Sequence, residues 1–387
     1  MFSHRSHFDL SPNRIAGALS TARASGRPLL DLTESNPTRA NLRYDRATIV
    51  AALACPDALV YEPTAFGLAA AREAVADHIS AQGAHVDPSR VVLTASTSEA
   101  YAFAFKILCD PSDEVLVPQP SYPLFDHLAA LEAVRAVPYR LGYDGAWYVD
   151  LASVRAAISA RTRAIVCVSP NNPTGSYLKR HEIEVLASFG LPIVSDEVFA
   201  RYPLRDDPSR ATSALNAPGA PLILALGGLS KSVGLPQMKL AWMALAGDDA
   251  RVGEALERLE IVADAFLSVG TAVQHTTAAL FEAGSITERA IRDRTRQNLA
   301  GLQAAVRGSS ASLLDVEGGW YAVVRVPRTR SDEAWALAFL EQDGVLVHPG
   351  HFFDFEMDGH LIVSLLTPEA TLKDGSARIL ARLAREA

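Results

Sequence analysis

The chain is poor in cysteine: Cys55, Cys109 and Cys167 are its three, far apart in 387 residues. Cys109 and Cys167 sit in apolar surroundings, where a thiol packs as a small hydrophobe, so core positions and a reducing cytoplasm are expected. No apolar run reaches the length of a membrane span, and the start, Met-Phe-Ser-His-Arg-Ser-His-Phe-Asp, lacks the apolar centre of a secretory signal. Positive charge is short as well, with 36 Lys and Arg against 44 Asp and Glu and a formal net charge of -8. Without a basic patch, such a chain offers no surface to nucleic acid or to an anionic membrane. Internal repeats and low-complexity linkers are missing too. What is present, 49% hydrophobic and 21% charged residues, suits a globular protein with one large and one smaller domain.

The first segment reads as a helix over about 11–25 and a short strand over 29–32, before Asn36-Pro37 interrupts regular structure. A turn-rich loop, Tyr61 to Gly67, precedes an amphipathic helix over 68–82. From residue 91 strands and helices alternate. Strands are expected over 91–93, 114–118, 134–139, 163–168, 191–195, 222–226 and 239–244, and helices over 99–108, 122–132, 151–157 and 180–189. Apolar strands alternating with helices predict an α/β fold with a mainly parallel sheet covered on both faces. Ligands of such sheets sit beyond the carboxyl ends of the strands, and Ser96, Thr97, Asn172, Asp196 and Lys231 each follow one. After Gly247 the pattern changes to helical stretches over 250–283 and 285–308, then short strands and a final helix from 373. Residues 45–284 are therefore expected to form the large domain, and 285–387 a smaller α+β domain joined by the N-terminal segment 1–44.

Lys231 stands in Gly227-Gly-Leu-Ser-Lys-Ser-Val-Gly-Leu-Pro236, where a strand ends in a turn. A rigid, shielded mount lowers the pKa of a lysine and frees its lone pair, as a Schiff-base lysine requires. The strand, hydroxyl-rich turn and helix at Thr94-Ala-Ser-Thr-Ser98 suit an anion, which free backbone N–H groups and the positive helix end would meet.

Five motifs in order, Tyr61 to Gly67, Thr94 to Ala100, Asn172-Pro-Thr-Gly175, Asp196-Glu-Val-Phe199 and Ser230-Lys231, make almost the whole chain resemble the fold-type I pyridoxal-phosphate enzymes, specifically the class I/II aminotransferases. The resemblance implies pyridoxal 5'-phosphate held on Lys231 as a Schiff base, with the freed amine moving the substrate's proton. Asp196 would face the pyridine nitrogen and keep it protonated, so that the ring can accept electrons. Asn172 would donate to the phenolic oxygen and Tyr122 would stack on the ring. Ser96, Thr97, Ser98, Ser230 and Lys239 would hold the phosphate, and Tyr61 would reach the phosphate of a neighbouring subunit, which implies a homodimer with shared sites. The implied reaction moves an amino group between an amino acid or amine and a 2-oxo acid. No metal site is assigned.

Four departures from the family pattern stand out. Lys239 replaces an Arg, so a bidentate phosphate clamp becomes a point charge. Gly228 stands where Ser is frequent, and Phe199 where most members have a Tyr that donates to the phenolic oxygen. Ile362 occupies the place of the Arg that clamps the substrate carboxylate. Arg39, with Asn36 in the segment expected on the substrate side, is the candidate replacement. Loss of the clamp leaves a lyase, decarboxylase or racemase on the same fold as the alternative. A non-catalytic regulator is disfavoured by intact Lys231, Asp196 and Asn172, and by the lack of a basic helix-turn-helix segment before residue 45.

Overall fold

A computed structural model describes residues 1–386. Strand β1 (Leu30–Asp31) pairs in parallel with β12 (Val345–Leu346), which ties the N-terminal segment to the C-terminal part of the chain. The main sheet has eight strands: β2 (Val91–Thr94), β3 (Glu114–Gln119), β4 (Arg135–Tyr143), β5 (Trp147–Val149), β6 (Thr162–Val168), β7 (Ile193–Asp196), β8 (Leu222–Gly228) and β9 (Ala241–Gly247). Their spatial order is β2-β9-β8-β7-β6-β3-β4-β5. Pairings from β8 through β4 are parallel, whereas β9 and β5 run against their neighbours. The sheet is thus mixed at its edges, where the chain reverses through short connections instead of crossing over a helix. β5, three residues between Gly145-Ala146 and Asp150, is too short to register as a strand in the sequence.

Strands β7 and β8, in the middle of the sheet, are buried along their whole length, and β8 reads accordingly as an unbroken apolar run. One face carries helices Thr97–Leu108 and Asp249–Asp264 on a core that includes Val92, Phe103, Val166 and Leu224. The other face is filled by clusters around Val75, Leu229 and Trp242, and around Tyr139, Ile165 and Leu186. A separate core, with Ile15, Leu32, Val324, Trp335, Leu365 and Leu383, joins the N-terminal helix Arg14–Ala24 to the C-terminal helix Glu369–Glu386. Beside it lies a small antiparallel sheet of β10 (Ser312–Leu313), β11 (Tyr321–Arg325), β14 (His360–Ser364) and β13 (His348–Pro349). Among the described residues no helix is long and apolar enough to cross a membrane.

Among the helix boundaries that differ from expectation are the two expected on either side of Gly284. The stretch expected over 250–283 breaks after Asp264 and resumes as Thr271–His275, because Leu267 takes a left-handed φ of 43° and Gly270 starts the next helix. The helix expected from residue 285 begins instead at Thr277 and runs unbroken through Gly284 to Val306. A Cβ on Gly284 would lie 2.6 Å from the Cβ of Val233, so the glycine serves close packing against the Lys231 segment and does not end the helix.

Candidate active site

Strands β2, β3, β6, β7 and β8 run in one direction, so the residues that follow them gather along one edge of the sheet. That edge receives Ser96, the Gln119–Tyr122 segment, Asn172, Asp196 and Lys231 from five separate stretches of sequence.

Lys231 rides on a single helical turn, Leu229–Ser232, directly after β8. Ser232 Oγ donates to the Gly228 carbonyl at 2.8 Å, and the Leu229 N–H donates to the Leu240 carbonyl at 3.0 Å. The Tyr202 hydroxyl reaches the carbonyls of Lys231 and Ser232 at 2.7 and 3.1 Å. The backbone that carries the amine is therefore fixed. Its Nζ stands 5.2 Å from the Trp320 ring centroid and 5.9 Å from that of Phe199, and these two rings pack edge to face. Burial lowers the Lys231 pKa, and the Asp196 charge works against that fall. Gly228 has a local reason too: a Cβ there would stand 3.0 Å from the Cβ of Ala241 across the β8–β9 pair.

Asp196 is the last residue of β7 and is buried. Its carboxylate accepts the Tyr101 hydroxyl at 3.2 Å and the Val198 N–H at 3.1 Å. Burial pushes its pKa up to about 6, although both hydrogen bonds and the Lys231 charge pull the other way. The Tyr122 hydroxyl is raised by burial and also by the Asp196 charge, which puts both in one neighbourhood. Tyr122 itself precedes the helix Phe125–Leu131 and does not begin it as the pattern suggested.

Asn172 is buried, and its Oδ1 has no hydrogen-bond partner among the described residues. Its neighbour Asn171 is fully engaged. It accepts Ser121 Oγ at 2.7 Å and donates to the Pro120 carbonyl and Thr174 Oγ1 at 3.0 and 2.9 Å. These bonds tie the turn after β6 to the loop after β3 and leave Asn172 uncommitted.

Ser96 is the N-cap of the helix Thr97–Leu108, which starts two residues earlier than expected, and its Oγ accepts the Glu99 N–H at 3.2 Å. Its hydroxyl is thus used within the chain. The N–H groups of Thr97 and Ser98 in the first turn have no partner among the described residues. Ser230 lies partly exposed beside Lys231. Lys239, expected inside a strand, precedes β9 in a left-handed conformation, φ 53°, and its exposed side chain pairs with no described residue.

The substrate-side candidates differ. Asn36 Oδ1 accepts the Thr38 N–H at 3.0 Å and the Thr38 hydroxyl at 2.7 Å, so that side chain shapes its own turn. Ala40, which ends the turn, is buried in one cluster with Phe199 and Trp320, while Arg39 beside it is exposed. Ile362 pairs with Val323 and His348 and is buried with Trp147, Leu314 and Phe353. Tyr61 is 74% exposed and follows the exposed Leu59 and Val60. Nothing among its described contacts ties it to the Lys231 pocket of the same chain.

Three residues at the site escaped the sequence reading: Tyr101, Tyr202 and Trp320. Tyr101 had a signal, being the one hydroxyl in the apolar run Ala100 to Phe105. Trp320 follows the pair Gly318-Gly319, and its Nε1 is buried without a partner among the described residues.

The family model described as aminotransferase class I and II matches residues 26–379. Among curated proteins, the glutamate-pyruvate aminotransferase AlaA of Escherichia coli K12 is 29% identical over 321 residues, covering 78% of this chain and 76% of its own. Among solved structures, an alanine aminotransferase from Pyrococcus furiosus superposes with a TM-score of 0.86 at 23% identity, covering 100% of both chains. An aminotransferase from Escherichia coli superposes with the same score at 24% identity, over 99% of this chain and 98% of its own.

Proposed function

From the premise that the chain belongs to the class I and II aminotransferases, pyridoxal-phosphate-dependent transaminases of amino and keto acids, we propose how its own residues divide that work. Lys231 is the residue that carries the cofactor and moves the proton, and the observation that carries this reading is its fixed, shielded mount beside a buried carboxylate.

The residues fit such a cofactor. A buried carboxylate costs free energy unless a cation meets it, and the burial that lifts Asp196 to about 6 leaves it short of positive charge. A protonated ring nitrogen answers that need. The Asn172 side-chain amide, which makes no hydrogen bond among the described residues, can turn its N–H to a phenolic oxygen, and the two free N–H groups at Thr97 and Ser98 suit a phosphate. When bound, the cofactor supplies a carbonyl for the amine and a ring that accepts electrons.

The protein's part is to bind, orient and shield. Lys231 Nζ, its pKa lowered by burial, is neutral more readily than a lysine in water, which suits it to take and return a proton. Asp196 holds its charge at one place because Tyr101 and the Val198 N–H grip both carboxylate oxygens. Phe199 and Trp320 wall the amine from bulk water. Ser230 and Lys239 add contacts at the anion end, and Tyr122 offers a ring face. Tyr61, exposed on its own subunit, serves the site of a second copy, so the working unit is a homodimer in the cytoplasm. The substrate carboxylate meets Arg39, whose turn borders the aromatic wall, since Ile362 sits in an apolar cluster that cannot hold one. That same cluster favours a second reading, in which the donor is an amine without an α-carboxylate.

Borohydride reduction of the cofactor-loaded protein tests the assignment: label belongs on the peptide containing Lys231. Label on Lys239, or none, overturns it. A panel of amino acids and amines, followed by the change in cofactor absorbance, then separates the two donor classes and distinguishes transamination from a lyase reaction.

A further inference from the structure

Another group of chemically capable side chains lies apart from the Lys231 pocket. Cys55 Sγ, a carboxylate oxygen of Asp57 and a ring nitrogen of His275 all lie within 4.8 Å of one another. Cys55 precedes the short 3₁₀ turn Pro56–Leu59, which carries Asp57, and His275 ends the helix Thr271–His275 that packs on that turn. Cys55 is a free thiol that makes no capping bond, and none of the three donor groups has a hydrogen-bond or ion-pair partner among the described residues. Cys55 and His275 are partly buried and Asp57 is exposed, so an ion has access from solvent.

We propose that Cys55, Asp57 and His275 form a binding site for a divalent transition metal, zinc by the nature of its donors. Thiolate, imidazole and carboxylate are the three zinc ligand types, bound at about 2.0–2.3 Å, which sets tetrahedral donors roughly 3.3–3.8 Å apart. The donor atoms lie within 4.8 Å of one another, up to about an ångström or more beyond that spacing, so binding would draw the three side chains together. Sulfur and nitrogen donors select against magnesium and calcium, and a thiolate with a carboxylate exactly offsets a double positive charge in number. Binding forms one metal–sulfur bond and releases the thiol proton to solvent, without any change in oxidation state. Water fills the fourth position. The ion would clamp the root of the exposed segment Leu59 to Tyr61 onto the helix Thr271–His275.

The test uses the cofactor-loaded protein, stripped of metal by chelator and titrated with cobalt(II), then with zinc in competition. One equivalent per chain is expected, with a thiolate-to-cobalt charge-transfer band in the near ultraviolet. Cys55→Ser should abolish the band, and His275→Ala should weaken zinc binding by at least about 10-fold, since even the outer partners of metal ligands are worth about 10–100-fold in affinity. Cys109→Ser should leave both unchanged. Circular dichroism of each variant checks folding, and Asp57→Asn, at an exposed position, provides a milder variant whose zinc affinity must also fall. Absence of stoichiometric cobalt binding, or a band that survives Cys55→Ser, overturns the proposal.

Discussion

The lysine and carboxylate end of the site and the end proposed to hold anions are built differently. Lys231 and Asp196 are fixed by the chain's own core: Tyr202 grips the lysine's backbone, Tyr101 grips the carboxylate, and Phe199 and Trp320 close the wall. The side chains of Lys239, Arg39 and Tyr61 are exposed and pair with nothing among the described residues. The first set bears groups whose charge must be tuned by burial, which only a packed interior can do. The second holds the groups we propose to meet an anion, and a cation left in water keeps its charge without help from the fold. On these proposed roles, the chemistry is preset within one chain, while anion binding waits for a ligand or a second copy.

The largest expected effect breaks the two ends apart. Lys231→Ala should lower kcat on the order of 10⁴-fold, the upper range for removing a positioned acid–base group, whereas Lys239→Ala should act chiefly on cofactor affinity. Steady-state rates at saturating cofactor decide this, and equal losses in kcat would erase the distinction.

The next concerns Asp196 in the cofactor-free protein. Its folded pKa, near 6, lies above the ordinary carboxylate value of 3.8, so the folded state keeps a proton that the unfolded state gives up. Stability from this group is present at pH below about 4 and is lost as pH rises through 6. Asp196→Asn, which never ionises, should therefore stabilise the cofactor-free protein at pH 8 on the order of 3 kcal/mol, at about 1.4 kcal/mol per pKa unit, and hardly at all at pH 4. Denaturant titrations at the two pH values measure it. The same gain at both would mean that the burial of Asp196 does not set its charge.

The smallest effect sharpens the comparison on the exposed side. Arg39→Ala should raise the Michaelis constant for carboxylated donors by about tenfold or more, matching a charge-assisted hydrogen bond of roughly 1.5–3 kcal/mol, and spare cofactor binding. A simple amine donor should be hardly affected. If both donor types suffer alike, Arg39 is not the clamp.

Much of this molecule can be read without coordinates. The alternation of apolar strands and helices from Val91 to Gly247 specifies a covered α/β sheet, because strands buried on both faces must be apolar throughout. Hydroxyl-rich and Asn-Pro turns after those strands mark where a ligand sits, because chain reversals need such residues whatever surrounds them. Other features depended on distant partners. β9 and β5 reverse against their neighbours, and a strand's direction leaves no mark in its own composition. Gly284 looked like a helix end and is a packing notch for Val233.

The sequence alone determined the strand-and-helix alternation, the turn chemistry and the place of Lys231 after a strand, since these follow from local periodicity and backbone preference. Only the tertiary structure decided that Tyr101 supports Asp196, that Trp320 walls the lysine and that Cys55, Asp57 and His275 meet. Each joins residues distant in the chain, and the burial that tunes their charges exists only once the chain has closed around them.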